Sequence, residues 1–512
     1  MQIMRSLVTV PALLIAAASV AISGCGPKDG PANEAPPAKT AEAPAKAEQA
    51  KSAPSALATA AAPAKPAVNA KEQEIVKVEL ATLTPEARLG ARLFYDNRIG
   101  NPGANLATSC RTCHVTPEAS GNDRRWTDKL ALSVMPASDR GGKLEAARNT
   151  PTLLDCTTEK SFPSDGEFDS LNGYLTHKLT SEHMGWRPGE EEQAKKEIQA
   201  LLVNDDGSDV LAEGTYTEQF TTVKNVDVAT LTPDTALQAV IDSITDYLST
   251  VTTNNSSAYD AVMQQNRLPE GLAGEGDTPM DYFGRLFMSR IANEEGRVQM
   301  RFVADYNEDE YQGFKSFFRM GTTWSSSTNG EENSIGNCIA CHIPPKFTDG
   351  KFHNIGITQF EYDAVHGEGA FMNYKVPQAS EKTRGPADKK DPEKADLGRW
   401  NVDLEETSIG AFKTPRLRDP SGTDPYMHNG RYATIEEAIR VHLKAAELAK
   451  AGKLRNPDPE LLKISGITEK DIANMVKFFA QLNEVPREKY RDYRISNMRI
   501  RQDPLGEATF SN

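Results

Sequence analysis

The chain has 512 residues, room for two domains that each bury a core of their own. Its formal charge of −14, from 58 basic and 72 acidic residues, argues against nucleic acid as a partner. That surface would suit a basic protein partner, although many exported proteins are acidic without one.

In chain order, residues 1–24 read as a targeting signal. Arg5 supplies its positive end, and Leu7 to Ile22 are rich in Leu, Ile, Val and Ala. Ile22-Ser23-Gly24-Cys25 resembles the lipobox of bacterial lipoproteins, so cleavage before Cys25 predicts a diacylated, membrane-held amino terminus in the periplasm. The residue after the cysteine is Gly26 rather than an Asp that would favour inner-membrane retention, which points to the outer membrane. Residues 25–75 are mostly Ala, Pro, Lys, Glu and Ser, a composition with too little to bury, and read as a disordered tether. No later segment is apolar over the length a bilayer crossing needs.

From residue 76 the pattern is helical with long loops. Residues 85–94 place Leu89, Leu93 and Phe94 on one helical face, and 192–203, 235–250, 307–319, 434–451 and 468–482 repeat that periodicity. Residues 115–170 are rich in Gly, Pro, Asp and Arg and read as loop, and no run of alternating strands occurs. The expectation is a mainly α protein of two cytochrome c-like helical domains, 76–300 and 301–490, with a tail at 491–512.

The cysteines sharpen this. Cys110-Arg111-Thr112-Cys113-His114 and Cys338-Ile339-Ala340-Cys341-His342 are both CxxCH. Two cysteines three apart on a helical turn reach the two vinyl groups of one porphyrin, and the next histidine then lies under the ring as an axial ligand. A zinc site built from two CxxC pairs is the competing reading, but the pairs lie in different halves of the chain and each carries its own His. Two covalently attached haems c follow, one per domain. Cys156, after an apolar pair, reads as a small buried thiol.

The chain resembles the bacterial dihaem cytochrome c peroxidase family, which includes MauG. The resemblance is carried by Leu89-Gly90-Ala91-Arg92-Leu93-Phe94-Tyr95-Asp96, Arg148-Asn149-Thr150-Pro151, Phe347-Thr348-Asp349, Phe352-His353-Asn354-Ile355-Gly356, Phe412-Lys413-Thr414-Pro415-Arg416 and Pro425-Tyr426-Met427-His428-Asn429-Gly430. It spans most of 85–485 and is loose over 157–330. It implies a peroxide-reactive haem in the first domain, an electron-relay haem in the second, and a calcium ion between them. Asn149, Thr423 and Pro425 would hold the calcium, the last two through backbone oxygens. Dimerisation is common in the family.

The sixth ligands decide what each haem can do. For the second haem, Thr434 and Glu437 read as a capping box opening a helix that places Ile435, Ala438, Ile439 and His442 on one apolar face. On the pattern alone His442 reads as a core histidine. The family takes its axial ligand, a Met in the peroxidases and a Tyr in MauG, fourteen residues past the His of PYxHxG; from His428 that count reaches His442, with Met427 the alternative. An imidazole there lowers the haem potential relative to Met ligation and moves the reading partway towards MauG. For the first haem no histidine occurs between His114 and His177, so the iron is expected open, with Met135 the alternative ligand.

Peroxide cleavage needs a group that shuttles a proton between the two oxygens. The family's Glu before Met-Gly corresponds to Ser181-Glu182-His183-Met184-Gly185, where Glu182 and His183 compete for the role, and Tyr174 stands near the family's Gln. The family's bridging Trp is missing, since its motif reads Pro163-Ser164-Asp165-Gly166-Glu167; Trp126 and Trp186 are the substitutes, and His177 reads as exposed or structural. The expected function is reduction of hydrogen peroxide with electrons from a small cytochrome c or cupredoxin. A MauG-like oxidation of a partner protein and a dihaem electron carrier are the alternatives.

Overall fold

The computed structural model describes residues 81–103, 109–114, 148–209, 211–295, 301–303, 306–320, 334–378, 384–385 and 387–484. The targeting signal, Cys25, the tether, Trp126, Met135 and the tail lie outside them. The described part is mainly helical. Its strands are the two-residue β1 (Phe352–His353) and β2 (Phe412–Lys413), antiparallel with Phe352 opposite Lys413. Among the described residues no helix is long and apolar enough to cross a membrane.

Helix α1 spans Pro85–Tyr95, capped by the Thr84 hydroxyl, which accepts from the Ala87 N–H, and opened by a proline whose missing N–H costs nothing there. α2 is the single turn Cys110–Cys113. α3 (Leu171–Leu179), α4 (Glu191–Asn204) and α5 (Pro233–Leu248) are the other helices of the first half longer than a single turn. α1 packs along α5, and their separation is set by Gly90: a Cβ there would lie 1.8 Å from the Ser243 carbonyl oxygen. Leu89, Leu93, Phe94, Ile198, Val240, Ile244 and Tyr247 form the core between these helices.

One buried cation ties this half together. Arg92 is 1 % exposed, donates to Asp205 (2.6 Å) and Asp209 (2.5 Å), and lies 3.8 Å over the Tyr216 ring. The Tyr216 hydroxyl in turn donates to Asp96. A guanidinium buried in this way must be fully paired, so this network fixes one arrangement of the elements that carry it.

The second half holds α6 (Ala258–Gln265), α7 (Glu308–Phe318), α8 (Ile357–His366), α9 (Ile435–Lys450) and α10 (Glu469–Ala480). Its core is aromatic: Tyr259, Phe314, Phe317, Phe318, Phe347 and Phe478 pack in stacked and edge-on pairs. α9 opens with the capping box read from the sequence, Thr434 with Glu437. Arg418, buried against Asp260, joins the 412–418 segment to α6.

All six helices expected from periodicity are present, shifted by at most two residues at their ends. α3, α6, α8, a 17-residue helix at Pro279–Glu295 and the single turns Tyr216–Gln219 and Trp400–Asp403 were not expected. α3 is short and only weakly amphipathic, and α6 and α8 carry polar buried residues that blur the apolar period. The described part of the expected loop, 148–170, holds no α-helix, only one short 3-10 turn at Cys156–Thr158.

Candidate functional site

Both CxxCH motifs fold as tight turns that bring their cysteines to one side. The His114 N–H donates to the Cys110 carbonyl at 2.9 Å, and the His342 N–H donates to the Cys338 carbonyl at the same distance. The two turns open on one continuous cavity of about 990 Å3, at the upper end of the roughly 300–1,000 Å3 usual for small-molecule sites. Burial pushes the Cys110 and Cys338 thiols up to about 12, so they are not free thiolates in this setting.

At the second motif two imidazoles face the same space. His342 donates from Nδ1 to the Phe347 carbonyl (2.9 Å), and His442, on α9, donates from Nδ1 to the Ala438 carbonyl (2.7 Å). Each hydrogen bond fixes the tautomer that leaves Nε2 available to a metal. Burial holds both imidazoles below the ordinary histidine range, and the neighbouring His442 lowers His342 further. Met427 also lines the cavity. Close by, His353 donates to Asp458 (2.6 Å) and Asp349 (2.8 Å). Burial opposes its charge, but two carboxylate acceptors require both ring N–H groups, so His353 is an imidazolium at neutral pH.

At the first motif the His114 ring lies 6.2 Å from Phe94 on α1. Helix α3 and the 3-10 turn Glu182–Met184 add Tyr174, His177, Lys178, Glu182 and His183 to the wall. Glu182 is exposed. His183 is enclosed: its Nε2 lies 2.8 Å from Lys178 Nζ, and its Nδ1 lies 3.3 Å from the Ser181 hydroxyl. Burial, then the Lys178 charge, push its pKa well down. Burial also lowers Lys178, to about 8. Tyr174 stacks on Phe162, and burial pushes its pKa up, so it stays a neutral phenol. His177 is exposed and lies 5.1 Å from the Phe168 ring.

Between the motifs, Arg148 donates to Asp396 through Nε and Nη2 (2.7 Å each) and pairs with Asp165 at 2.7 Å. Arg384 also reaches Asp165, and Arg399 donates to the Asp165 and Gly166 carbonyls. The 163–167 turn is thereby clamped. Gly166 has φ +70°, and a Cβ on it would meet the Phe352 ring at 2.3 Å, so glycine is required. The Lys413 N–H donates to the Ser164 carbonyl, and beside this turn Phe412 stacks on His428 at 3.5 Å and 11°. Trp186, a substitute for the bridging aromatic, is buried in the first core instead. Cys156 is buried and lines the cavity. The Asn149 amide donates to the Pro425 carbonyl (2.7 Å), while the Thr423 hydroxyl donates to the Pro420 carbonyl. Among the described residues no three His, Cys, Asp or Glu side chains cluster as a metal site.

Residues 84–267 match the family model for di-haem cytochrome c peroxidase. Over 396 residues the chain is 26 % identical to the methylamine utilization protein MauG of Methylophilus methylotrophus, covering 77 % of this chain and 81 % of that one. It is 23 % identical over 370 residues to the cytochrome-c peroxidase IdrP2 of Pseudomonas sp. (strain SCT), covering 69 % and 71 %. Residues 84–267 thus carry a di-haem cytochrome c peroxidase domain, and the chain is similar to both MauG proteins and cytochrome-c peroxidases. It is a cytochrome-c peroxidase-like oxidoreductase. Among solved structures it is similar to a MauG-like protein associated with microbial copper homeostasis (18 % identity, 78 % and 90 % covered, TM-score 0.47). It is also similar to the diheme peroxidase BthA of Burkholderia thailandensis E264 (18 % identity, 78 % and 86 % covered, TM-score 0.46).

The family is di-haem, and this chain's residues fit two c-type haems: two CxxCH turns, one large shared cavity, and at the second motif the imidazoles of His342 and His442 anchored through Nδ1. The motif cysteines and histidines, His442, Glu182, His183 and Tyr174, named from the sequence, all line this one cavity. Sequence reasoning missed Lys178, whose signal was its position four residues after Tyr174 on one helical face. It also missed Asp396 as the partner of Arg148, which no local pattern reveals.

Proposed function

We propose that the protein reduces hydrogen peroxide at the first haem with electrons relayed through the second, H2O2 + 2 H+ + 2 e− giving 2 H2O. The observation that carries this is the asymmetry of the cavity. The second motif has a pair of anchored imidazoles, His342 and His442, whose Nε2 atoms would be the ones to hold a haem iron there. The first has His114 facing a wall of proton-bearing side chains: Tyr174, Lys178, Glu182 and His183. When bound, the haems supply the iron and the electron path. The chain anchors the rings through Cys110, Cys113, Cys338 and Cys341, keeps the relay iron from solvent, and holds protons beside the reactive one.

Glu182 is the mobile proton carrier in this reading, because its exposed carboxylate can exchange with solvent, whereas both ring nitrogens of His183 are already engaged. The MauG-like alternative, peroxide-dependent oxidation of a partner protein, is favoured by the imidazole at 442 where the peroxidases carry Met. The proposal also includes the domain division at about residue 300, a lipid-anchored periplasmic location through Cys25, and a small cytochrome c or cupredoxin as donor. It includes calcium held by Asn149, Thr423 and Pro425. The closeness of the Asn149 side chain to the Pro425 carbonyl supports this last element, since turning the amide over would aim two oxygens at one point.

Low-temperature EPR of the fully ferric protein tests the asymmetry. One high-spin and one bis-His low-spin signal is the expected result. Two low-spin signals would mean a capped first haem and an electron carrier. Fast turnover with a reduced cytochrome then separates peroxidase from MauG-like chemistry.

A further inference from the structure

The pairing of Lys178 with His183 is a feature that neither the motifs nor the family reading requires. The lysine projects from α3 into the cavity shared with Cys110, Cys113 and His114. Its ammonium lies 2.8 Å from His183 Nε2 and 5.2 Å from the Tyr174 ring centroid. The ammonium also lies 3.3 Å from Nδ1, so it rests against the imidazole, and a second positive charge on that ring is disfavoured beside it. One proton and one positive charge belong to the pair, and they sit on the lysine.

Other charged or titratable groups face this ammonium. They are His177 and Tyr174 on its own helix, Cys113 on the motif turn, and Arg148, Asp165 and Glu167 on the loop before α3. Asp165 is already held by two arginines, Arg148 and Arg384. Glu167 is partly exposed and pairs with Arg384. None of these carboxylates hydrogen-bonds Lys178, so its charge is not cancelled at close range. A half-buried ammonium anchored on a neutral acceptor at a cavity wall is a ready partner for a small anion.

We infer that Lys178, held on His183, is the group that binds the anionic oxygen of a deprotonated peroxide at the first haem. The inference rests on the peroxidase reading and adds a residue to it. The step is a binding step: H2O2 yields HO2− and a proton that leaves to solvent, and no O–O bond breaks in it. Lys178 donates a charge-assisted hydrogen bond to the bound oxygen, while His183 keeps the lysine stem from turning away. Burial lowers Lys178 only to about 8, so the charge is present at pH 7 and is lost above that value.

Fluoride serves as the probe anion for the ferric protein, followed optically at pH 7. Lys178→Met should weaken fluoride binding about tenfold to a hundredfold, roughly 1.4 to 2.8 kcal/mol at 1.4 kcal/mol per decade. Lys178→Arg, which keeps the charge, should bind more tightly than Lys178→Met. A second readout is the C–O stretch of the ferrous carbonyl complex, which a nearby cation lowers; it should rise in Lys178→Met. An unchanged stretch and equal fluoride affinity would overturn the inference. A wild-type protein that takes no fluoride but whose C–O stretch still rises in the variant upholds Lys178 and sinks the open ferric pocket instead.

Discussion

Replacing Arg148 with Met would strip a charged partner from two buried carboxylates at once. Met keeps much of the side-chain length and removes the charge. Three contacts of 2.7 Å disappear, two to Asp396 and one to Asp165. Asp165 retains Arg384, but Asp396, 3 % exposed, keeps only the Gly398 N–H among the partners of its carboxylate. Removing one member of a buried pair costs about 3–5 kcal/mol, because an unpaired carboxylate stays inside. Urea unfolding of the holoprotein should therefore show a loss of about that size at pH 7.

The pH dependence gives the sharper check. In the wild type burial would raise Asp396, but the Arg148 charge and hydrogen bonds win and hold it below its ordinary value. A depressed carboxyl stabilises the fold above its unfolded pKa, and that contribution fades as pH falls through the folded value. Without Arg148 only the Gly398 N–H and the nearby His428 oppose burial, the largest effect, and Asp396 rises above its unfolded pKa. The variant's penalty is then full near neutrality and shrinks as pH drops towards about 4. Adding Asp396→Asn to the variant should recover part of the loss. A penalty under about 1 kcal/mol at pH 7, or one that does not narrow with acid, would refute the argument.

Two further outcomes follow from the packing and the ligand geometry. His442→Ala should convert the second haem from low to high spin in EPR; an unchanged spectrum removes His442 as a ligand and returns Met427 to consideration. Gly90→Ala forces a methyl against the Ser243 carbonyl, backbone that cannot move without parting α1 from α5. It should cost about 3 kcal/mol or more in thermal or urea unfolding, the upper end for overpacking, and a melting temperature equal to wild type would refute the close contact.

Much of this protein was legible along the chain because the relevant physics is local. Six helices announced themselves through an apolar period, and Thr434 with Glu437 marked the start of α9 from a three-residue spacing. The CxxCH turns needed no tertiary information, since both cysteines and the histidine are supplied by one turn. His442 could be placed on an apolar face by period and singled out only by the family's count. Its Nδ1 bond to Ala438, within the same helix, is again a local matter.

What the tertiary structure decided is where charge is paired. Arg148 finds Asp396 across 248 residues, Arg418 finds Asp260 across 158, and Arg92 finds Asp205 across 113. A long side chain meets its partner through the meeting of elements, and no periodicity records that. The same holds for Glu182 and His183, neighbours in sequence that the fold separates into an exposed carboxylate and an enclosed imidazole. Desolvation depends on everything packed around a group, so the sequence names the candidates while only the folded surroundings set which of them carries a proton.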